Sequence, residues 1–330
     1  MRAAVAASPT LPTRTIARQL WEDEKNVGVW SSQNTVRSAV QYLRGASGER
    51  HRASRIATAP PSPRSNGPAP ENPYFLPPSD ENEFLPFTIS TDRDCRALIL
   101  SDVHIPYHNL KALTAAIAEG KRQEVRKIVL NGDQLDSHWL SSFMKDPRKR
   151  HFKSEIEMCR QFLEALRDQF PKAEITWKNG NHDERYEKYL MQNAPELFSV
   201  KEVQLNNVLH LLDYQIDYVT DKRVINFGKL HIVHGHEYKE SIIAPVNPAR
   251  GLFLKANASA LMGHLHISSQ HNTKTIGEKL IICWSTGCLS ELHPAYGPLN
   301  RWNHGFAVAH LSSSGDYEVE NKTLLNGRIL

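Results

Sequence analysis

The chain has 330 residues, of which 40% are hydrophobic and 23% are charged, and its formal net charge is +4. A length of this order corresponds to about two domains. No apolar run approaches the roughly 18 residues that a membrane-spanning helix needs, which excludes a helical membrane protein. The four cysteines form no Cys-x-x-Cys pair, so neither a cysteine zinc knuckle nor a disulfide framework is indicated. We therefore predict reduced thiols and a cytoplasmic location.

Positive charge is concentrated near the N-terminus. Residues 1–70 contain ten Lys or Arg and four Asp or Glu, whereas residues 71–330 contain 30 and 32. A basic segment beside a nearly neutral main domain is typical of a protein that binds a polyanion. A solvated basic tail has the same composition, and both interpretations stay open at this point.

Two short helices are predicted ahead of residue 45. Pro12-Thr13 is a start signal for the first helix, which has Ile16 and Leu20 on one face. The second helix follows Ser31-Ser32, which are good N-caps, and Gly45 is a good stop signal. Its apolar positions follow the helical i, i+3, i+4, i+7 spacing at Val36, Ala39, Val40 and Leu43.

The opposite face of the second helix is basic and rich in amides. It carries side chains that suit contacts to phosphates and base edges, namely Gln33, Arg37, Gln41 and Arg44. Two short helices of this kind resemble a helix-turn-helix, so we predict that residues 1–45 bind nucleic acid. A plain helical hairpin with a solvated second helix is the alternative.

A proline-rich stretch separates this unit from the rest of the chain. Eight of the nineteen prolines fall between residues 60 and 78, and no helix or central strand tolerates that density. We therefore predict a disordered linker over residues 46–92 and a main domain over residues 93–330.

The main domain alternates apolar runs with amphipathic stretches, which predicts a layered α/β domain. The first five predicted strands are Arg96–Ser101, Val125–Leu130, Ile175–Lys178, Leu230–Val233 and Ala258–Met262. Three more are predicted towards the C-terminus, at Leu280–Trp284, Phe306–Leu311 and Tyr317–Leu324.

Each of the first five strands is followed by residues of the kinds that bind metals. The clusters are Asp102-Val103-His104, Gly132-Asp133-Gln134-Leu135-Asp136, Gly180-Asn181-His182-Asp183, His234-Gly235-His236 and Gly263-His264-Leu265-His266. A single Asp-x-His is common by chance, whereas five such clusters in this order are not. In open α/β sheets, sites form beyond the carboxyl ends of strands, so we expect the clusters to converge.

The ordered set of clusters resembles the calcineurin-like metallophosphoesterase family over residues 93–310. The resemblance implies an α/β fold, a four-layer αββα sandwich in which two mixed sheets pack face to face between outer helices. It also implies a phosphoesterase with two divalent cations. The helical unit ahead of the catalytic domain is similar to that of phosphoesterases from phages and prophages, through Tyr42-Leu43-Arg44-Gly45.

Transferred position by position, the resemblance implies a role for each residue of the clusters. The first metal would be held by Asp102, His104 and His266, the second by Asn181, His234 and His264, and Asp133 would bridge both. His182 would act on the substrate phosphate, oriented by Asp136. For Asp136, a structural role at a helix start is the alternative.

The ligand set also limits the choice of metal. Oxygen ligands mixed with imidazoles favour Mn²⁺, with Fe or Zn²⁺ as alternatives, over Ca²⁺ or Mg²⁺. Two such ions clamp the attacking and leaving oxygens of an in-line displacement and activate water to hydroxide near neutral pH.

The substrate is less well determined. Ser137 follows Asp136 where protein phosphatases of the family have Arg, and Asp183 stands where they usually have Glu. We therefore favour a phosphodiesterase or nuclease acting on DNA or nucleotides, with a phosphomonoesterase as the alternative. A DNA-binding protein with an inert phosphoesterase-like domain is the non-enzyme alternative. Arg185 and His108 are the candidate substrate contacts, although a surface ion pair is equally expected for Arg185.

Overall fold

The computed structural model describes residues 1–8, 10–26, 28–45, 74–77, 84–91, 93–144, 152–238, 246–294 and 297–330. The chain divides into two compact units, Met1–Glu81 and Asn82–Leu330. Most of the linker predicted over residues 46–92 lies outside the described residues. Among the described helices, none combines the length and apolar composition that a membrane crossing needs.

The N-terminal unit is helical. It contains α1 (Arg2–Ala7), α2 (Thr13–Glu22), α3 (Gln33–Arg44) and a 3₁₀ turn at Glu24–Asn26. Both helices predicted from the sequence are present, and α1 is an addition. The hydroxyl of Ser32 caps α3 by accepting from the backbone N–H of Thr35 at 3.2 Å. Its small core is formed by Ile16, Ala17, Leu20, Val36 and Val40.

The larger unit contains helices and strands in alternation. Its described α-helices are α4 (Leu110–Arg122), α5 (Phe152–Gln169), α6 (Glu184–Asn193), α7 (Leu205–Val208) and α8 (Pro248–Ala256). Short 3₁₀ helices lie at His138–Leu140, Pro195–Leu197 and Lys201–Val203. The strands are β1 (Phe87–Ile89), β2 (Cys95–Leu100), β3 (Lys127–Asn131), β4 (Glu174–Lys178), β5 (Ile216–Val219), β6 (Ile225–Phe227), β7 (Leu230–Ile232), β8 (Ala260–Met262), β9 (Ser269–Lys274), β10 (Leu280–Ser285), β11 (His304–Leu311), β12 (Tyr317–Leu325) and β13 (Arg328–Ile329).

These strands form two mixed sheets. One has the order β13-β12-β11-β2-β3-β4-β5, and the other has the order β1-β6-β7-β8-β10-β9. Strands β2 to β5 pair in parallel, as do β7, β8 and β10, so their carboxyl ends lie at one edge of each sheet. This confirms the predicted pair of mixed sheets.

Side-chain alternation along β2 shows how the layers stack. Ala97 and Ile99 pack with residues of the second sheet, such as Phe227, in one apolar cluster. Leu98 and Leu100 point the other way and pack with residues of α4 and α5. Because successive strand residues face opposite sides, one buried run serves both layers. A third cluster joins α8 to the second sheet, which completes the helix–sheet–sheet–helix order.

The predicted upper boundary of the linker is wrong. Phe87–Ile89 forms strand β1, which pairs in parallel with Ile225–Phe227. The sheet therefore begins before residue 93, inside the segment assigned to the linker. Three residues are too few to show a periodic pattern beside so many prolines, and the hydrogen-bond partner lies more than 130 residues away in the chain.

Candidate metal centre

The first group of candidate ligands follows β2 and β8. Asp102, His104 and His266 are buried, and their ligand atoms lie within 4.8 Å of one another. The Nε2 of His266 is 3.2 Å from an oxygen of Asp102 and 3.2 Å from the Nε2 of His104. Two strands from different sheets thus bring three donors to one point.

The second group follows β3, β4, β7 and β8. The ligand atoms of Asp133, His234 and His264 lie within 4.8 Å of one another. The Nε2 of His234 is 3.2 Å from an oxygen of Asp133 and 3.3 Å from the amide oxygen of Asn181. The Nδ1 of His234 lies 2.8 Å from the carbonyl oxygen of Asn131 and donates to it, which leaves Nε2 as the electron-pair donor.

Asp133 lies between the two groups. One of its oxygens is 3.2 Å from His234 of the second group and 3.8 Å from His104 of the first. His182 approaches the same oxygen to 4.0 Å, and His104, Asp133 and His182 form a further group with ligand atoms within 4.8 Å. Asp133 is therefore placed to bridge, and His182 lies at the edge of the ligand set.

The backbone bends sharply at the ligands. Five of them have φ in the left-handed region: Asp102 (56°), His104 (49°), Asp133 (54°), His264 (68°) and His266 (57°). Such values are uncommon for residues other than glycine and cluster at functional sites. In the Asp102-Val103-His104 and His264-Leu265-His266 segments, the bends allow both side chains to face the metal centre.

Two glycines make room for these bends. A Cβ at Gly180 would lie 2.1 Å from a carboxylate oxygen of Asp133, and one at Gly263 would lie 2.5 Å from an oxygen of Asp102. Both distances are far below van der Waals contact. The glycines of the Gly-Asn-His and Gly-His-x-His clusters are therefore required by close packing against carboxylates.

The electrostatic field of the centre favours cations. Burial alone would lower the pKa of His234, but the charges of Asp133 and Asp102 raise it to about 10. Burial would likewise lower the pKa of His266, but the charge of Asp102 raises it to about 10. For His264, burial and the nearby His234 lower the pKa to about 4. A field that holds two imidazolium ions inside the protein also stabilises divalent cations at the same points.

The profile of calcineurin-like phosphoesterases matches residues 95–284, more than half of the chain. The chain belongs to the calcineurin-like phosphoesterase family. It is accordingly a metallophosphoesterase, a hydrolase of phosphate esters, and the fold agrees with the resemblance seen in the sequence.

One relative and two solved structures are similar to this chain. Gene 54 protein of Mycobacterium phage L5 is 28% identical over 226 residues, which are 64% of this chain and 88% of that protein. Vacuolar protein sorting 29 from Cryptosporidium parvum is similar over 72% of this chain and 96% of its own, with 14% identity and a TM-score of 0.38. Nuclease MPE from Pseudomonas putida is similar over 71% and 86%, with 14% identity and a TM-score of 0.32. The phage relative supports the predicted phage-type phosphoesterase.

The residues present fit the divalent ions that the calcineurin-like phosphoesterase family uses. The Oδ1 of Asp102 is fully buried, and its close polar neighbour among the described residues is the Nε2 of His266 at 3.2 Å, itself a metal-type donor. Such an oxygen is costly unless a cation or donor meets it. Burial and the charge of His182 lower the pKa of His104, which keeps its ring neutral and able to donate an electron pair.

Asp136 holds two histidines rather than one. Its carboxylate oxygen is 3.1 Å from the Nδ1 of His104 and 3.4 Å from the Nδ1 of His182. The His182 Nδ1 also lies 2.8 Å from the backbone carbonyl oxygen of Asp136, closer than the carboxylate of the same residue. The orienting role predicted for Asp136 is therefore divided between a carbonyl that contacts His182 and a carboxylate that contacts His104.

The two candidate substrate contacts differ in their surroundings. The guanidinium of Arg185 lies against the His182 ring, 2.8 Å from its Nδ1, and donates to the carbonyl oxygen of Asp136 at 2.8 Å. Arg185 is therefore part of the centre instead of a surface ion pair. His108 pairs with Ser290 by a single β-bridge, whereas its neighbour Tyr107 lines the cleft beside the centre.

Sequence reasoning missed the carboxylates that support the ligand loops. Asp183 accepts from the backbone N–H groups of Asp133, Leu135 and Gly180 at 2.8 to 3.0 Å. Glu237 accepts from the N–H groups of His234 and Gly235 at 2.7 and 2.6 Å. Asp183 is the last residue of the third cluster and Glu237 directly follows the fourth, and that position was the available signal.

A buried ion pair connects two of the loops. The ammonium of Lys178 lies 2.9 Å from the Glu237 carboxylate, and Lys178 is 1% exposed. Lys178 ends β4 directly ahead of the loop with Asn181, and Glu237 holds the loop with His234. The pair therefore fixes two candidate ligands of the second group relative to each other.

The four N-terminal candidates have three different surroundings. Gln33 and Arg37 line a cleft of about 320 Å³ together with Arg14, Arg18 and Asn34. Arg44 instead donates to the carbonyl oxygens of Ser8 and Leu11, which ties α3 to the start of the chain. Gln41 is exposed on α3 and lies outside that cleft.

Proposed function

We propose that this chain is a two-metal phosphodiesterase that acts on nucleic acid or nucleotides. The observation that carries the proposal is the position of Asp133, one oxygen of which lies 3.2 Å from His234 of the second group and 3.8 Å from His104 of the first. Shared carboxylates of this kind hold the paired ions with which enzymes hydrolyse phosphate esters. Among the divalent metals we propose Mn²⁺, because oxygen and imidazole donors are mixed.

Seven residues would hold the pair of ions. The first set is Asp102, His104 and His266, the second is Asn181, His234 and His264, and Asp133 belongs to both. When bound, the ions supply Lewis acidity to phosphoryl oxygens and to the attacking water. The protein supplies the rigid placement of the donors through Asp183, Glu237 and Lys178.

His182 and Arg185 form the anion-binding side of the centre. The Nδ1–H of His182 donates to the carbonyl oxygen of Asp136, and its Nε2 lies 4.0 Å from the Asp133 carboxylate and 3.0 Å from the Arg185 guanidinium. Burial opposes protonation, but the charges of Asp133 and Asp136 raise the pKa of His182. A protonated ring beside a guanidinium is stabilised by a substrate phosphate. We assign His182 to hydrogen bonding a phosphate oxygen and to protonating the leaving oxygen.

The N-terminal unit supports a nucleic-acid substrate. Three arginines, Arg14, Arg18 and Arg37, line one cleft with two amide side chains. Arginines suit phosphates through bidentate hydrogen bonds, and amides suit base edges. We propose that this unit raises the local concentration of the substrate without a part in the chemical step.

A substrate panel tests the proposal. The full-length protein with Mn²⁺ is offered bis-p-nitrophenyl phosphate, p-nitrophenyl phosphate, single-stranded and double-stranded DNA, and a phosphopeptide. We expect turnover of the diester and of DNA, which chelation by EDTA abolishes. Turnover confined to the monoester and phosphopeptide would reject the diesterase assignment, and no turnover of any substrate would reject hydrolysis itself.

A further inference from the structure

A cleft of about 320 Å³ opens beside the first ligand group. We call it the Trp302 cleft. His104 and His266 form part of its wall, together with Tyr107, Ser290 and Trp302. Its volume lies at the lower end of the roughly 300–1,000 Å³ found for small-molecule sites. Because the cleft and the metal centre share two imidazoles, one molecule can occupy both.

Aromatic surface characterises the cleft. The ring centroid of Trp302 lies 4.1 Å from that of His266, at an interplanar angle of 63°. Tyr107 is 44% exposed, so its ring is accessible from the cleft. Aromatic rings that remain accessible beside a polar centre offer stacking surfaces for a planar group.

A polar edge lies among these rings. Ser290 is 3% exposed, and its hydroxyl oxygen makes no hydrogen bond to any described residue. A buried hydroxyl without a partner costs free energy, which a ligand with a donor or acceptor would recover. The aromatic walls therefore come with a hydrogen-bonding point.

Acidic side chains restrict the charge of the occupant, and Asp136 of the metal centre is one of them. Glu291 also lines the cleft, where its carboxylate accepts from the amide of Asn109 at 3.0 Å and its backbone N–H donates to the carbonyl oxygen of Tyr107 at 2.8 Å. A negative charge at this position repels a second phosphate and can accept from an exocyclic amino group. The cleft thus favours a neutral, planar group with a hydrogen-bonding edge.

We propose that the Trp302 cleft binds the nucleobase of the substrate whose phosphate lies at the metal centre. The proposal rests on the proposed function, because it assumes that the phosphate binds beside His104 and His266. A nucleobase has the planar faces, the polar edge and the neutrality that the cleft selects. The site would therefore distinguish nucleotide esters from phosphoesters of sugars or of phosphoserine.

The test compares two ligands that differ by one base. Adenosine 5′-monophosphate and ribose 5-phosphate share the sugar and the phosphate, and only the first carries a base. Calorimetric titration of the full-length, Mn²⁺-loaded protein gives both dissociation constants independently of diester hydrolysis, and release of inorganic phosphate is monitored alongside. Because base stacking contributes about 1–3 kcal/mol, we expect the nucleotide to bind roughly 5- to 150-fold more tightly.

Two variants attribute the preference to the cleft. Tyr107→Ala and Trp302→Ala should each bring the ratio of the two constants towards one, and Trp302→Phe should restore part of it. Tyr189→Ala is the matched control, since Tyr189 is a similarly exposed tyrosine (39%) on α6 that does not line the cleft. Trp302 touches His266, so the metal content of its variants is measured alongside.

The two proposals fail differently. Equal affinity of the wild-type protein for both ligands would overturn the nucleobase subsite, even if the protein hydrolyses diesters. An unchanged ratio in both alanine variants would also overturn it. Conversely, a protein that prefers the nucleotide but hydrolyses no phosphoester supports the subsite and contradicts the proposed function.

Discussion

The carboxylate of Asp183 accepts a hydrogen bond of 2.8 Å from the backbone N–H of Asp133. The same oxygen accepts from Gly180 at 2.9 Å, so one side chain holds the loops that follow β3 and β4. Burial raises the pKa of Asp183 to about 7, and the nearby charge of Asp133 adds to the effect. The fully buried Asp183 therefore holds in place the loops that carry Asp133 and Asn181.

Replacement of the shared carboxylate tests the two-metal assignment. Asp133→Asn removes the negative charge common to both groups, so we expect loss of most activity and weaker binding of both ions. Metal content by plasma emission spectrometry and turnover of bis-p-nitrophenyl phosphate are the measurements. Asp217→Asn, an exposed position on β5, is the control and should match the wild type. Wild-type turnover in Asp133→Asn would contradict the assignment.

His182 is the residue for which the geometry allows two roles. It lies within 4.8 Å of His104 and Asp133, yet its Nδ1 is engaged with Asp136. We expect His182→Ala to lower kcat by about 10²–10⁴-fold, the usual range for a lost acid–base group, with two ions still bound. Loss of one ion would show instead that His182 is a ligand.

His236→Ala serves as its comparison. The Nε2 of His236 lies 2.8 Å from the carboxylate of Glu184, so it is engaged away from the ligand groups. We expect this variant to retain both ions.

Metal binding should release protons. The carboxylates hold His234 and His266 protonated with pKa values of about 10 in the protein alone. A cation can take the Nε2 electron pair only after the proton leaves, so binding competes with protonation at all pH values below 10. We expect apparent Mn²⁺ affinity to rise steadily from pH 6 to pH 8.

Titration in two buffers of different ionisation enthalpy measures the protons released at pH 7. We expect about two per chain. Affinity that does not change between pH 6 and pH 8 would show that these imidazoles are not displaced.

Glu155 should make the protein less stable in alkaline solution. Burial raises its pKa from 4.5 to about 8, and it accepts from the N–H of Ser137 at 2.6 Å. The neutral form is favoured by folding, so stability is lost as pH rises from 4.5 through 8. Glu155→Gln keeps an oxygen acceptor and cannot ionise.

Urea unfolding in EDTA measures the effect. The free energy of unfolding of Glu155→Gln should exceed that of the wild type at pH 9, by up to roughly 5 kcal/mol, and equal it at pH 4.5. Glu157→Gln, on the exposed side of α5, is the control. An equal difference at both pH values would exclude ionisation of Glu155 as the cause.

The N-terminal arginines should contribute to DNA binding but not to the turnover of small phosphodiesters. The triple variant Arg14→Ala, Arg18→Ala and Arg37→Ala removes three charges from one cleft, so binding should weaken and its salt dependence should fall. Turnover of bis-p-nitrophenyl phosphate should stay the same. Lys25→Ala, outside the cleft, is the control. Equal DNA affinity of the triple variant and the wild type at low salt would reject the role of this unit in DNA binding.

The sequence alone determined eight of the thirteen described strands, the order of the clusters and the family. Periodicity and strand-end position are local properties, so Asp102, Asp133 and His264 could be assigned to a centre before any contact was known. Ser32 and Val36 likewise marked α3 through capping and spacing.

Tertiary structure decided what depends on partners distant in the chain. Strand β1 exists because Ile225–Phe227 offers it an edge, and Arg44 is structural because its guanidinium reaches Ser8 and Leu11. Trp302 lies about forty residues beyond the last ligand cluster, and only the path of the chain places its ring against His266. Local propensity carries no information about such contacts, because their free energy arises only when both partners are brought together.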